Sequence, residues 1–175
     1  MSRAVNLASV NGLDGLSIGD LATDTAMSKG EIVGLFGTKE QLQLATVEAA
    51  RQIFIDAVIT PALAIKGGRE RLAALIDGWL TYSERRVFEG GCFFVAASTE
   101  FASRPGAVRD AVARVLAEWN EFIVFTIARA TSRGQLDPGT DPEQLAFEIR
   151  SLLDGANSMS LLQNSPEPYR RARVA

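Results

Sequence analysis

The stretch Leu16–Leu42, LSIGDLATDTAMSKGEIVGLFGTKEQL, decides the fold, because three helix starts fall inside it. Ser17, Ser28 and Thr38 each stand before an apolar run, and each has Asp, Glu or Gln three residues on. A hydroxyl in that place accepts a hydrogen bond from an amide that the helix start leaves unpaired. An acidic or amide side chain three residues later can return a bond to the cap. The spacing predicts a supporting helix over 17–24, a turn over 25–27 and a short helix over 28–36 ended by Gly37. A long helix then runs from Thr38 to about Thr60, where Pro61 is expected to stop it. Upstream, residues 2–10 suit a short apolar helix closed by Asn11-Gly12.

Downstream the pattern stays helical, with no convincing alternation of period two. Leu72, Leu75, Ile76, Trp79 and Leu80 share one helix face. Val108, Val112, Val115, Leu116, Trp119, Phe122 and Ile123 make a stripe over 107–133, widened by Val124, Phe125 and Ile127. Pro142 suits the first turn of a last long helix, over 142–163, whose apolar face is Leu145, Ala146, Ile149, Leu152, Leu153 and Ala156. The tail from Ser165 reads as polar and proline-containing. The fold class is therefore all-α, with no internal repeat.

Composition removes several functions. The chain of 175 residues has 47% hydrophobic and 22% charged residues, ordinary for a protein with a buried core. It holds no histidine, which excludes Ser-His-Asp and Cys-His catalysis and the imidazole zinc sites. No acidic calcium loop is present, so neither enzyme activity, a metal nor a cofactor is expected. Cys92 is single and cannot form an internal disulfide. No apolar run reaches the roughly 20 residues of a membrane span, and no basic-then-apolar leader is seen, so a cytoplasmic protein is expected.

Two short helices joined by a tight turn, then a long helix, form a helix-turn-helix. The second helix would present its N-terminus, with unpaired amides and a positive dipole end, to a phosphate or base edge. Lys29 lies in that first turn, and Lys39 opens the following helix. Gly30 and Gly34, four apart, would let one face approach a duplex closely. Against this, residues 1–50 carry three basic side chains and six acidic ones, a net of −3, leaving the rest neutral. Sequence-independent affinity comes from Lys and Arg neutralising phosphates, so weak binding is expected.

The run Leu16–Ala50 resembles the DNA-binding region of the tetracycline-repressor family of bacterial transcriptional regulators. The likeness lies in LS before the supporting helix, DLA within it, MSKG at the turn, FGTKEQL and the alanine-rich helix that follows. GGCFF (90–94), EFASRPGAVRD (100–110) and DPEQLAFEI (141–149) resemble one branch of that family. The resemblance implies a helix-turn-helix domain over 1–46, with a short first helix, since the family usually has more residues there, often basic. It implies a helical-bundle domain over 47–175 for ligand binding and dimerisation. The implied function is a ligand-responsive repressor that binds operator DNA as a homodimer.

Position by position, the resemblance puts Ser17 on a phosphate and lines the recognition helix with Met27, Ser28, Lys29, Gly30, Glu31 and Gly34. It puts Lys39 on the DNA backbone, and Leu21, Ile32, Phe36 and Leu42 in the core. It also implies a small-molecule pocket, for which Trp79, Tyr82, Phe94, Glu100, Trp119, Asn120, Ile123 and Asn157 are the candidates. The broad stripes over 107–133 and 142–163 would form a four-helix bundle across a two-fold axis. Where the family usually carries an aromatic and a polar residue, this chain has Val33 and Leu35, and two hydrogen-bonding groups are missing. A rival reading stays open: a helical ligand carrier or interaction protein on the same scaffold, with weakened DNA binding.

Overall fold

Each of the three caps at 17, 28 and 38 closes as a hydrogen bond. The computed structural model describes residues 1–175 and contains ten α-helices, one π-helical turn and no strand. They are α1 (Ser2–Asn11), α2 (Ile18–Thr25), α3 (Lys29–Phe36), α4 (Lys39–Phe54), α5 (Thr60–Leu63) and α6 (Arg69–Glu84). Beyond these come α7 (Phe93–Phe101), α8 (Ala107–Ser132), α9 (Pro142–Gln163) and α10 (Glu167–Val174). The Ser17 hydroxyl accepts the Asp20 amide at 3.1 Å, and Thr38 Oγ1 accepts the Gln41 amide at 3.2 Å. Ser28 and Glu31 bond reciprocally: Glu31 N–H to Ser28 Oγ at 3.2 Å, Ser28 N–H to Glu31 Oε2 at 2.7 Å. Gly37 ends α3 at φ 70° and ψ −70°, a γ-turn in which the Thr38 amide bonds the Phe36 carbonyl at 2.8 Å and whose positive φ favours glycine.

One expectation is corrected. Pro61 does not stop the helix that follows Thr38. The chain passes from α4 into a π turn, Ile55–Ile59, where the Thr60 amide bonds Ile55 O. Pro61 then falls in the first turn of α5, where its missing N–H costs nothing, and the wider turn spares the clash of a proline inside an α-helix. The polar, proline-containing tail from Ser165, to which the sequence assigned no element, is largely helical. It contains α10, whose one large apolar anchor, Tyr169, is 1% exposed. A single anchor produces no periodic stripe, so helical periodicity could not show it.

Contacts divide the chain into two compact units. The first joins Met1–Ile53 to Phe88–Val115. Its core holds Ala4, Val5, Ala8, Leu13, Leu16, Leu21, Ile32, Leu42, Phe93 and Phe94. α1 meets the loop before α7 so closely that a Cβ on Gly90 would fall 1.8 Å from the Ser9 carbonyl oxygen, and only glycine fits. The Gly90 amide also donates to Ser9 Oγ at 3.1 Å.

The second unit joins Phe54–Val87 to Leu116–Ala175. Phe54 stands at the centre of an edge-to-face aromatic cluster, 5.6 Å from the Tyr82 ring and 5.2 Å from Trp119. α6, α9 and α10 are tied by a buried polar chain. Ser83 Oγ lies 2.8 Å from both Asn157 Oδ1 and the Tyr169 hydroxyl, and Arg86 donates to Tyr169 at 3.2 Å and to Ser160 at 3.1 Å. Buried polar groups of this kind are costly unless satisfied, so the chain holds α10 to one position. No helix is long and apolar enough to cross a membrane.

Candidate nucleic-acid interface

α3 is built to be seen from outside. Among its eight residues only Ile32 is buried, at 1% exposure, and Phe36 is half-buried. Lys29, Gly30, Glu31, Val33, Gly34 and Leu35 all face solvent. A Cβ built on Gly34 would meet nothing within 4 Å, so this glycine fills no packing need inside the protein. Ser28 is exposed, and Met27 and Ser17 are half-buried.

The three basic side chains of residues 1–50 differ in their partners. Arg3 forks onto Asp24, with Nε donating to Oδ2 at 2.6 Å. Lys39 donates to the backbone oxygen of Asp14 and approaches its carboxylate at 3.3 Å. Lys29 alone has no acidic partner, and it is exposed at the start of α3. Ser17 and Ser28 spend their hydroxyls as helix caps, and Glu31 holds the Ser28 amide, which keeps its carboxyl below the ordinary range. Ser28, Lys29, Gly30 and Glu31 stand at the N-terminal end of α3, with Lys29 the one uncommitted cation among the candidates, while Ser17 caps α2, Gly34 lies in the second half of α3 and Lys39 opens α4.

The loop that leads into α2 is held from two sides, which no spacing in the sequence disclosed. Glu100 on α7 accepts the backbone amides of Leu13 at 2.8 Å and Asp14 at 3.0 Å. Arg104 Nη1 reaches Asp14 Oδ2 at 2.8 Å, while Gln43 on α4 donates to the Leu13 carbonyl at 3.0 Å. Arg104 first, and Lys39 second, hold the Asp14 carboxyl below its usual range by hydrogen bonding. Asp14, Gln43 and Arg104 support the entry to the helix-turn-helix, and sequence reasoning missed them because their partners lie far apart in the chain.

The expected pocket residues are distributed as follows. Trp79, Tyr82, Trp119, Ile123 and Asn157 are buried in the second unit, and Asn120 is half-buried there. Phe94 is buried in the first unit, and Glu100, also of that unit, spends both carboxylate oxygens on the loop amides. None of the eight lines a mostly apolar, partly open cleft of about 490 Å³ in the second unit, whose walls include Leu72, Ile76, Leu80, Ile149 and Leu153, with Asp77, Glu148 and Arg173 also lining it. Positions 72, 76 and 80 repeat every four residues on α6, the same helix that carries Trp79 and Tyr82. No cluster of three or more His, Cys, Asp or Glu side chains is placed to hold a metal ion.

Residues 68–175 match the family described as tetracyclin repressor-like, C-terminal domain. Among solved structures, a TetR transcriptional regulator from Chloroflexus aurantiacus J-10-FL is 27% identical with a TM-score of 0.91, covering 99% of this chain and 87% of that one. A putative transcriptional regulator from Saccharomonospora viridis in complex with choline is 23% identical, with a TM-score of 0.81 over 98% of this chain and 88% of that one. AibR, in complex with isovaleryl coenzyme A and operator DNA, is 21% identical, with a TM-score of 0.73 over 90% of this chain and 85% of that one. The likeness to the last two, below one quarter identity, is one of fold. No curated protein matches the chain.

Proposed function

The chain belongs to the tetracycline-repressor family of DNA-binding, ligand-responsive transcriptional regulators, and on that premise we propose that it acts as a homodimer whose two α3 helices enter successive major grooves of an operator. The observation that supports this most is the exposure of α3 with Lys29 unpaired in its first turn. The other two N-terminal cations are bound within the protein, so Lys29 is the side chain left for a phosphate or guanine. Ser17, Met27, Ser28, Gly30, Glu31, Gly34 and Lys39 complete the proposed interface.

Dimerisation is proposed through α8 and α9. Phe125 is 56% exposed on α8, and Phe147 and Met159 are 66% and 50% exposed on α9, an apolar surface larger than an isolated protomer needs.

For the effector, the aromatic cluster of Trp79, Tyr82 and Trp119, with Asn120, Ile123 and Asn157, is the proposed site. Phe94 and Glu100 stay as candidates of the first unit. The separate cleft beside Leu72, Ile76 and Leu80 favours a second reading, in which an apolar effector sits there instead. An effector shifts operator affinity only by preferring one arrangement of the dimer over another. Trp79 and Trp119 are the only tryptophans, so quenching of their fluorescence by a bound effector separates the two sites.

A mobility shift of the gene's own upstream DNA, followed across a salt series, tests the operator reading. A shift that weakens steeply with salt is expected. No shift at low salt, or one indifferent to salt, would remove operator binding and leave a helical ligand-binding protein.

A further inference from the structure

α3 carries only two polar side chains beyond its cap, Lys29 and Glu31. Glu31 is committed: its carboxylate holds the Ser28 amide at 2.7 Å while its own amide bonds the Ser28 hydroxyl. The cap thus engages Glu31 Oε2 and the Ser28 lone pair and holds both side chains at the N-terminal end of α3, leaving only Glu31 Oε1 and the Ser28 hydroxyl proton for a base edge there. Gly30 and Gly34 offer no side chain. What remains on the outward faces is apolar: Val33 at 46% exposure and Leu35 at 65%, on either side of Gly34. Ile32, which points inward at 1% exposure, already supplies the packing of this helix against the protein.

An apolar side chain pressed against a base edge gains nothing from donors or acceptors and loses their hydration. The major groove displays one apolar group, the C5-methyl of thymine. We infer that Val33 and Leu35 read thymine, each seating its side chain against a thymine methyl in the operator half-site, with Gly34 between them allowing the helix backbone to approach. Operator specificity then rests on A·T pairs at defined positions, read through the methyl, with Lys29 supplying charge. The inference rests on the operator-binding reading above.

Deoxyuridine differs from thymidine only by the absent methyl, which makes the test nearly isosteric. The full-length protein is first used to select binding duplexes from a random pool. Each thymine of one selected half-site is then replaced by deoxyuridine, and Kd is measured for the natural protein, Val33→Ala and Leu35→Ala. Both side chains are exposed and alanine is the better helix former, so the variants keep their fold, which circular dichroism checks. One or two replacements are expected to weaken the natural protein about fourfold each, the equivalent of about 0.8 kcal/mol per buried CH₂-sized group. The same replacement should change the matching variant less than about twofold, since the partner of the methyl is already gone. An operator bound equally well with uracil throughout, or a penalty that survives in both variants, overturns the inference while leaving operator binding intact. A selection that enriches no sequence overturns operator binding and this inference together.

Discussion

Glu100 accepts the backbone amide of Leu13 at 2.8 Å, and so fastens α7 to the loop that ends in the cap of α2. The same carboxylate takes the Asp14 amide with its other oxygen. Hydrogen bonds to a charged group contribute about 1.5–3 kcal/mol each when buried and less toward solvent. Glu100→Ala is expected to lower stability by about 2 kcal/mol in urea denaturation and to weaken operator binding, because the entry to the helix-turn-helix loosens. Unaltered stability would show that water replaces the carboxylate without loss.

Lys29→Ala should weaken binding to all duplexes alike. For every phosphate that the protein ceases to neutralise, the slope of log K against log salt flattens by about 0.9, so a dimer without either Lys29 should flatten by about two units. Titrations between low and moderate salt read this directly. An unchanged slope would take Lys29 off the phosphate backbone.

Gly34→Ala separates stability from recognition. Nothing within 4 Å opposes the added Cβ, and alanine favours a helix by about 1 kcal/mol over glycine. The variant should melt at a higher temperature and bind operator DNA less tightly, as the new methyl holds the backbone off the groove. Tighter binding would contradict a close approach at this position.

Phe147→Glu places a charge on the proposed dimer face. Sedimentation should show the natural protein as a dimer and the variant shifted toward monomer, with operator affinity falling in parallel. A variant that remains dimeric would move the interface away from this part of α9.

Acid should destabilise the first unit in a defined window. Arg104 and Lys39 lower the Asp14 pKa, and Arg3, chiefly by hydrogen bonding, lowers that of Asp24. A carboxyl with a folded pKa below its unfolded one, about 3.9 for Asp, contributes fully above that unfolded value and loses the contribution as pH falls through the folded one. Asp154 acts in the opposite sense, since burial raises its pKa despite Arg150. Its ionised form penalises the fold near neutrality, and that penalty fades as pH falls through its raised pKa. Urea midpoints should therefore not fall between neutrality and about pH 5, where only the release of Asp154 acts, and should drop below about pH 4. Asp14→Asn should shallow the drop, and Asp154→Asn should raise the midpoint near neutral pH.

Helix starts were legible in the chain because capping is local: a hydroxyl and its amide lie within three residues, and Ser17, Ser28 and Thr38 needed no tertiary partner to declare themselves. The all-α class, the helix-turn-helix and the stripes of α6, α8 and α9 followed from the same local rules and from periodicity. What the tertiary structure alone decided concerns partners distant in sequence. It gave Lys39 to Asp14 and Glu100 to Leu13, it carried the chain past Pro61 through a π turn, and it made a helix of the tail by burying Tyr169 against Ser83. Such pairings depend on which surfaces meet, and residue spacing carries no record of that. The stretch LSIGDLATDTAMSKGEIVGLFGTKEQL thus determined by itself that α3 exists and where it begins. Only the folded chain decided that Lys29, Val33 and Leu35 are what α3 has left to offer, because Ser28 and Glu31 are bonded to each other and Ile32 is spent on the core.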